Sequence, residues 1–393
     1  MELYRDIKGG INMISLKEDF NVKGSELDDF VTAVNEMTAA TKSIKVYSHE
    51  MEILSRCTID SCQKEDGIAV FNFNISNLKD IENGNKFRIN LIKSSKFPPE
   101  IEEEIEDETC TLFSVLNNDV YIMSPSALSH IIRLSGISGR KLLENNIFRD
   151  MYLINIFYEY PKRLKVIYRE VNKVRKMFAL LGSNYSEIRQ SILLDIFKSL
   201  DSYAPEMYEW KITHDYTMMH IEFPLLQREG LIPGVKIITS DIGKSSFSVI
   251  LTLRYRNSII IMDELNILHK YNTTESSVFE ETIAYISENI PVITENCSNI
   301  HHLKDNVLYD GNTDISSLCN YVSSCINKVY GDILTKNISE LLNVSITEDL
   351  DSSKSYTEYD IVMMLIEALE TIKPITEKVR YKNFQRATKK LLI

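Results

Sequence analysis

Gly243-Lys244-Ser245 matches the end of a phosphate-wrapping loop, so chemistry is sought there first. Such a loop needs a glycine five residues before its second one, so that backbone amides curl around phosphate, and a helix directly after the Ser. Ile238 stands where that glycine belongs, and an alternating strand pattern follows. The segment therefore reads as a turn between strands. Ser240 and Asp241 are expected to bond the local backbone, Gly243 to supply a positive φ, and Ser245 to lead into the next strand.

Other chemistry is sparse. Histidines 49, 130, 214, 220, 269, 301 and 302 are scattered, and none falls in a nucleophile elbow, a zincin helix or a deaminase spacing. Gly182-Ser183 resembles a nucleotidyltransferase turn, yet Tyr185 to Ile188 supplies only Glu187 where two-metal chemistry needs paired carboxylates. Cys297 with His301, His302, Cys319 and Cys325 is the best metal-like grouping, but its spacing does not make a zinc knuckle, and Cys57 and Cys62 are spaced wrongly too. The expectation is a protein without metal or cofactor, and non-enzymatic.

Charge is more informative. The chain carries a net charge of −12, while residues 161–176 hold Lys162, Arg163, Lys165, Arg169, Lys173, Arg175 and Lys176 against Glu170 alone. Residues 377–393 hold a second basic set: Lys378, Arg380, Lys382, Arg386, Lys389 and Lys390 against Glu377. Tyr168 lies within the first set, Tyr185 follows it, and Tyr381 and Phe384 lie within the second. Bases neutralise phosphates while aromatic faces stack on unpaired nucleobases, so Lys162, Arg163, Lys165, Arg169, Arg175, Lys176 and Tyr185 are candidate nucleic-acid contacts. The competing reading pairs these bases with the abundant acids, within the chain or across a subunit contact.

The elements that would position these residues follow from periodicity. Leu27, Phe30, Val31, Val34 and Met37 share a helical face, with Ser25 as the expected cap. Strand-like runs follow at Ile68 to Ile75 and Phe87 to Ile92. Pro98 to Glu108 concentrates acids without a base and reads as a solvated linker. Ser124-Pro125 opens a helix that Gly136 should end, followed by helices at Arg140 to Asn146 and Arg149 to Tyr158 and a break at Pro161. Leu164 to Val171 and Val174 to Leu181 form a hairpin through Asn172-Lys173, and Ile188, Ile192, Leu193, Ile196 and Leu200 define a helix. Met219, Ile221 and Phe223, and then Phe247, Val249, Leu251 and Leu253, alternate with polar residues as in sheets with one buried face. After about residue 275 the pattern is helical. In the tail, Ile361, Leu365, Ala368 and Leu369 share a face, and Pro374 separates two helices.

The predicted fold class is α+β: a helical entry segment, a central antiparallel sheet with hairpins and a crossing helix, and a helical C-terminal tail. The predicted regions are 1–110 (mixed), 111–275 (core) and 276–393 (helical). With 44% hydrophobic and 25% charged residues over 393 positions, wholesale disorder and collagen-like repetition are excluded. No apolar run reaches membrane-spanning length and the first residues lack a secretory layout, so a cytoplasmic protein is expected.

The order of segments resembles the domain of unknown function 932 family, carried by phages and plasmids. The resemblance rests on Tyr121 to Gly139, the hairpin with Arg169 and Arg175, Leu181-Gly182-Ser183-Asn184-Tyr185-Ser186, and Thr239 to Phe247, and covers about residues 115–275. The family pattern is kept at Tyr185, Ser240, Asp241 and Gly243, with His269 as candidate for its histidine. Its Cys-x-Asn-Gly segment is replaced by Ile259 to Glu264. The resemblance implies a mobile-element context in a bacterial host and supplies no chemistry. The resulting expectation is an accessory protein that binds nucleic acid, in single strands, during replication, recombination or host takeover, and that self-associates. The alternatives are a protein-assembly or anti-defence module binding host or phage proteins, and an enzyme acting on nucleotides.

Overall fold

The computed structural model describes residues 14–55, 59–65, 68–79, 87–97, 112–116, 119–135, 162–171, 174–268, 273–311 and 314–392. The acidic stretch, the helices expected at 140–146 and 149–158, the turn at Asn172-Lys173 and His269 lie outside these residues.

Two six-stranded sheets form an α+β fold dominated by antiparallel pairing. The first runs in the order β1 (Asn21–Gly24), β11 (Glu206–Thr213), β12 (Thr217–Glu222), β13 (Ile232–Thr239), β14 (Phe247–Tyr255) and β15 (Ser258–Ile267), antiparallel throughout. The second runs β2 (Thr41–Tyr47), β9 (Arg163–Val171), β10 (Val174–Gly182), β8 (Asp119–Met123), β7 (Leu112–Leu116) and β3 (Glu52–Ser55), with β10 and β8 parallel. A three-stranded sheet, β4 (Ile59–Glu65), β5 (Ile68–Lys79) and β6 (Phe87–Phe97), contains both strand-like runs expected there.

Helix α1 (Leu27–Ala40) buries Phe30, Val34 and Met37 as its periodicity requires, but its cap residue is Glu26 rather than Ser25. Trp210 explains the shift in part, because its ring packs 5.8 Å from Phe30 while its Nε1 donates to the Glu26 carbonyl at 3.0 Å, anchoring the first turn. The helix runs straight from β1 of the first sheet into β2 of the second, so residues before the acidic stretch supply strands to both sheets. Helix α2 (Pro125–Ser135) starts as expected, with the Ala127 amide donating to Ser124 Oγ at 3.1 Å. Helix α3 (Ile192–Ser199) follows the hairpin, and Ile188, Ile192, Leu193, Ile196 and Leu200 are all buried.

Both alternations are corrected, since Ser248 and Thr252 of β14 are buried as well. All six residues of β12 are buried, including His220 and Glu222, which were expected to face water. Each finds a partner across the sheet instead: His220 Nε2 lies 3.1 Å from Thr252 Oγ1, and Arg254 Nη2 donates to Glu222 Oε2 at 2.8 Å. A buried polar group with such a partner avoids most of its desolvation cost.

The C-terminal region contains α4 (Glu275–Asn299), α5 (Ile315–Tyr330), α6 (Lys336–Thr347), α7 (Glu358–Glu367), α8 (Leu369–Ile372) and α9 (Lys378–Thr388). A short ribbon of β16 (Val307–Tyr309) and β17 (Tyr356–Thr357) interrupts the helices. Ile361, Leu365, Ala368 and Leu369 are buried in a helical core with Val322 and Leu342, and Pro374 sits in the 3₁₀ turn before α9. Val362, Met363 and Ile366, on the other side of α7, join the core of the first sheet.

Candidate binding site at the junction of the sheets

Hairpin register places Arg169 of β9 directly opposite Lys176 of β10, and both side chains are fully buried. A buried cation survives only with counter-charge and acceptors for its donors. Arg169 meets both needs. Its Nη2 reaches Asp241 Oδ1 at 3.0 Å and Oδ2 at 3.2 Å, both Nη atoms reach the His214 carbonyl at 3.1 Å, and its Nε reaches Thr41 Oγ1 at 3.3 Å. Nη1 also lies 2.6 Å from His214 Nδ1, and the guanidinium stands 4.6 Å over the Phe178 ring. Burial, then Arg169 and Lys176, hold the His214 pKa well below its ordinary value. The imidazole is therefore neutral, and the hydrogen-bond network assigns the Nδ1 lone pair to Arg169. Lys176 Nζ donates to the Leu16 carbonyl at 2.8 Å and forms an ion pair with Glu18 Oε1, also at 2.8 Å.

The turn at 240–245 closes this junction. Ser240 Oγ accepts the Lys244 amide at 3.1 Å, the local bond expected of it, and also donates to the Asp215 carbonyl, 25 positions away, at 2.6 Å. Asp241 departs from expectation by bonding Arg169 and, at 3.4 Å, Gln190 Nε2. Its carboxylate is consumed by long-range partners because it points inward between the sheets. Gly243 has φ +72°, and a Cβ there would come within 3.4 Å of Leu181 and the Tyr185 ring. Ser245 is half-buried and leads into β14, so a strand follows where a phosphate loop needs a helix.

The basic hairpin is not a free cationic surface. Arg169 and Lys176 are buried. Lys165 Nζ bonds the Tyr185 carbonyl at 2.6 Å and Glu187 at 2.9 Å, while Arg175 pairs with Glu170 at 2.6 Å and stands over Tyr121. Lys162 and Arg163 are exposed, with Lys162 donating to the Leu134 carbonyl. Tyr185 is half-buried against the turn; burial, then the charges of Asp241 and Glu187, raise its hydroxyl pKa. In the tail, Lys382 and Arg386 share Glu264 and Lys389 caps the Met262 carbonyl. Pairing with the chain's own acids thus accounts for Lys165, Arg169, Arg175 and Lys176 in the first set and for Lys382 and Arg386 in the second. Among the described residues, no group of His, Cys, Asp and Glu could hold a metal ion, and no helix is long and apolar enough to cross a membrane.

Beside the buried cluster opens a cleft of about 460 Å³, walled by Glu18, Ser126, Lys211, His214, Tyr216 and Lys244 among others. It collects segments distant in sequence: the start of α2, the β11–β12 turn, residues 18–21 and the turn ending at Lys244. Ser126 Oγ bonds Asp215 Oδ1 at 3.3 Å across the cleft. The segments at 121–139, the hairpin and 239–247 supply Ser126, Arg169 and Lys244 to this junction, and Tyr185 packs on its turn. Sequence reading missed Glu18, Lys211, His214 and Tyr216, because none lies in a motif and only the pairing of β11 with β1 and β12 brings them here. Compared with family models, curated proteins and solved structures, the chain matches none.

Proposed function

We propose that this chain is a non-enzymatic accessory protein of a phage or plasmid that binds single-stranded nucleic acid at the mouth of the cleft, inside a bacterial host. The observation that carries the reading is the pair Lys211 and Lys244: both line the cleft, and among the described residues neither forms an ion pair. Lys211 Nζ stands 5.9 Å over the Tyr216 ring, so a cation and a stacking face lie side by side. Lys23 lies directly across the strand pair from Lys211. The acids of the cleft are partly engaged already, Glu18 by Lys176 and Asp215 by Ser126. The resemblance to the domain of unknown function 932 family supports the mobile-element setting.

Titration with a labelled single-stranded oligonucleotide at several salt concentrations tests this. Replacing Lys211 and Lys244 by Gln should weaken binding and flatten the salt slope by about 0.7 for each phosphate that is no longer neutralised. Tyr216→Ala should cost roughly 1–3 kcal/mol with little change in slope. Wild-type protein that does not bind at low salt rules the reading out. The protein-partner alternative would then lead, supported by Ile375 in the turn before α9 and Val379 in its first turn, which are 57% and 77% exposed.

A further inference from the structure

Residues 14–20 cross the junction as a strap with no regular structure beyond a turn at 18–19. Beneath it lie Arg169, Lys176, Phe178 and His214, which together form a floor of cations and rings: Arg169 stands 4.6 Å and Lys176 5.9 Å from the Phe178 ring centre, and His214 packs on the same ring at 4.2 Å. What the strap places on this floor has the chemistry of a nucleotide. Glu18 puts a carboxylate 2.8 Å from buried Lys176, with its own side chain 30% exposed, so the anion enters from the solvent side. Phe20 puts a ring 4.9 Å from His214. The same strap residues form one wall of the cleft, and His214 belongs to both cleft and floor, so lifting the strap would extend the cleft over Lys176 and Phe178.

Resting on the nucleic-acid reading above, we infer that residues 14–20 are a pseudo-ligand occupying a nucleotide-unit site, with Glu18 standing where a phosphate of the strand binds Lys176 and Phe20 where a base stacks on His214. The physical reason is exchange. A buried ammonium requires an anion, and a phosphodiester replaces a carboxylate with the same charge; an aromatic base replaces the Phe20 ring with a comparable face. Bound nucleic acid and docked strap therefore exclude one another, and the strap lowers apparent affinity by the fraction of molecules in which it is docked.

The test uses the full chain and a fluorescein-labelled oligothymidylate at low salt. Glu18→Gln with Phe20→Leu keeps the size and apolar character of the strap while removing its charge and its ring. This variant should bind about tenfold or more tightly than wild type, and adding Lys176→Met should abolish the gain. In wild-type protein, which needs no substitution to stay folded, saturating oligonucleotide should speed tryptic cleavage after Lys17 as the strap lifts. If wild type binds but the strap variant gains nothing and cleavage is not accelerated, the strap is structural and this inference is overturned while the function stands. If wild type does not bind at low salt, both are overturned.

Discussion

Asp241 sits where two kinds of demand meet: it must end a turn, and it must neutralise a fully buried guanidinium. Asp241→Asn keeps the hydrogen-bonding shape but leaves Arg169 buried without its carboxylate, which should cost about 3–5 kcal/mol. Arg169→Met combined with Asp241→Leu should cost less than the two single changes added together, as urea melts of the four proteins will show. Histidine gives the pH dependence. Burial first, then Arg133 and Lys244, hold His130 down to about 4 from 6.5, and burial lowers His214 and His220 as well. The unfolded chain protonates these imidazoles near pH 6.5 while the folded chain resists. The His130 contribution is therefore complete above that pH and is lost as pH falls from 6.5 toward 4, and those of His214 and His220 are lost in the same direction below 6.5. Glu209, held near 2 first by the His220 ring beside it and then by Lys236 at 2.9 Å, acts only below the ordinary carboxylate range. A urea midpoint unchanged between pH 7 and 5 would contradict this, and His130→Gln should shallow the slope.

Elements were legible where a local rule suffices. The Ser124 cap of α2, the apolar face of α1 and the buried stripe of α3 each follow from spacing, since helix burial repeats with the turn. The turn at 240–245 was legible too, in its glycine and its local Ser240 bond. Gly243→Ala should destabilise by about 1 kcal/mol or more, because φ +72° disfavours a Cβ that would also press on Leu181 and Tyr185. Lys244→Ala should leave the melting temperature unchanged, since only its backbone amide holds the turn. The single-face expectation for β12 failed for a reason outside the strand: its polar residues find partners on β14.

At the scale of the molecule, α7 ties two cores together. Leu365 packs in the helical C-terminal core and Ile366 in the core of the first sheet. Each substitution to Ala should cost about 2–5 kcal/mol, and if the cores unfold as one, both should lower a single calorimetric transition. Two separate transitions, each shifted by only one of the substitutions, would show that the helix does not couple them. The same cross-chain logic governs charge. Glu264 near the end of the first sheet receives Lys382 and Arg386 from the tail, so these two members of a basic run that reads as a free patch fasten the tail to the sheet.

By itself the sequence determined the α+β class, the hairpin of Arg169 and Lys176, the turn glycine and the helical tail, because each depends on periodicity, capping or backbone freedom acting over a few residues. Tertiary structure alone decided what the charges do. Lys176 finds the Leu16 carbonyl 160 positions away and Arg169 finds Asp241 72 positions away. Whether a base faces a phosphate or a carboxylate depends on which strands pair, and no local pattern in the chain encodes that partner.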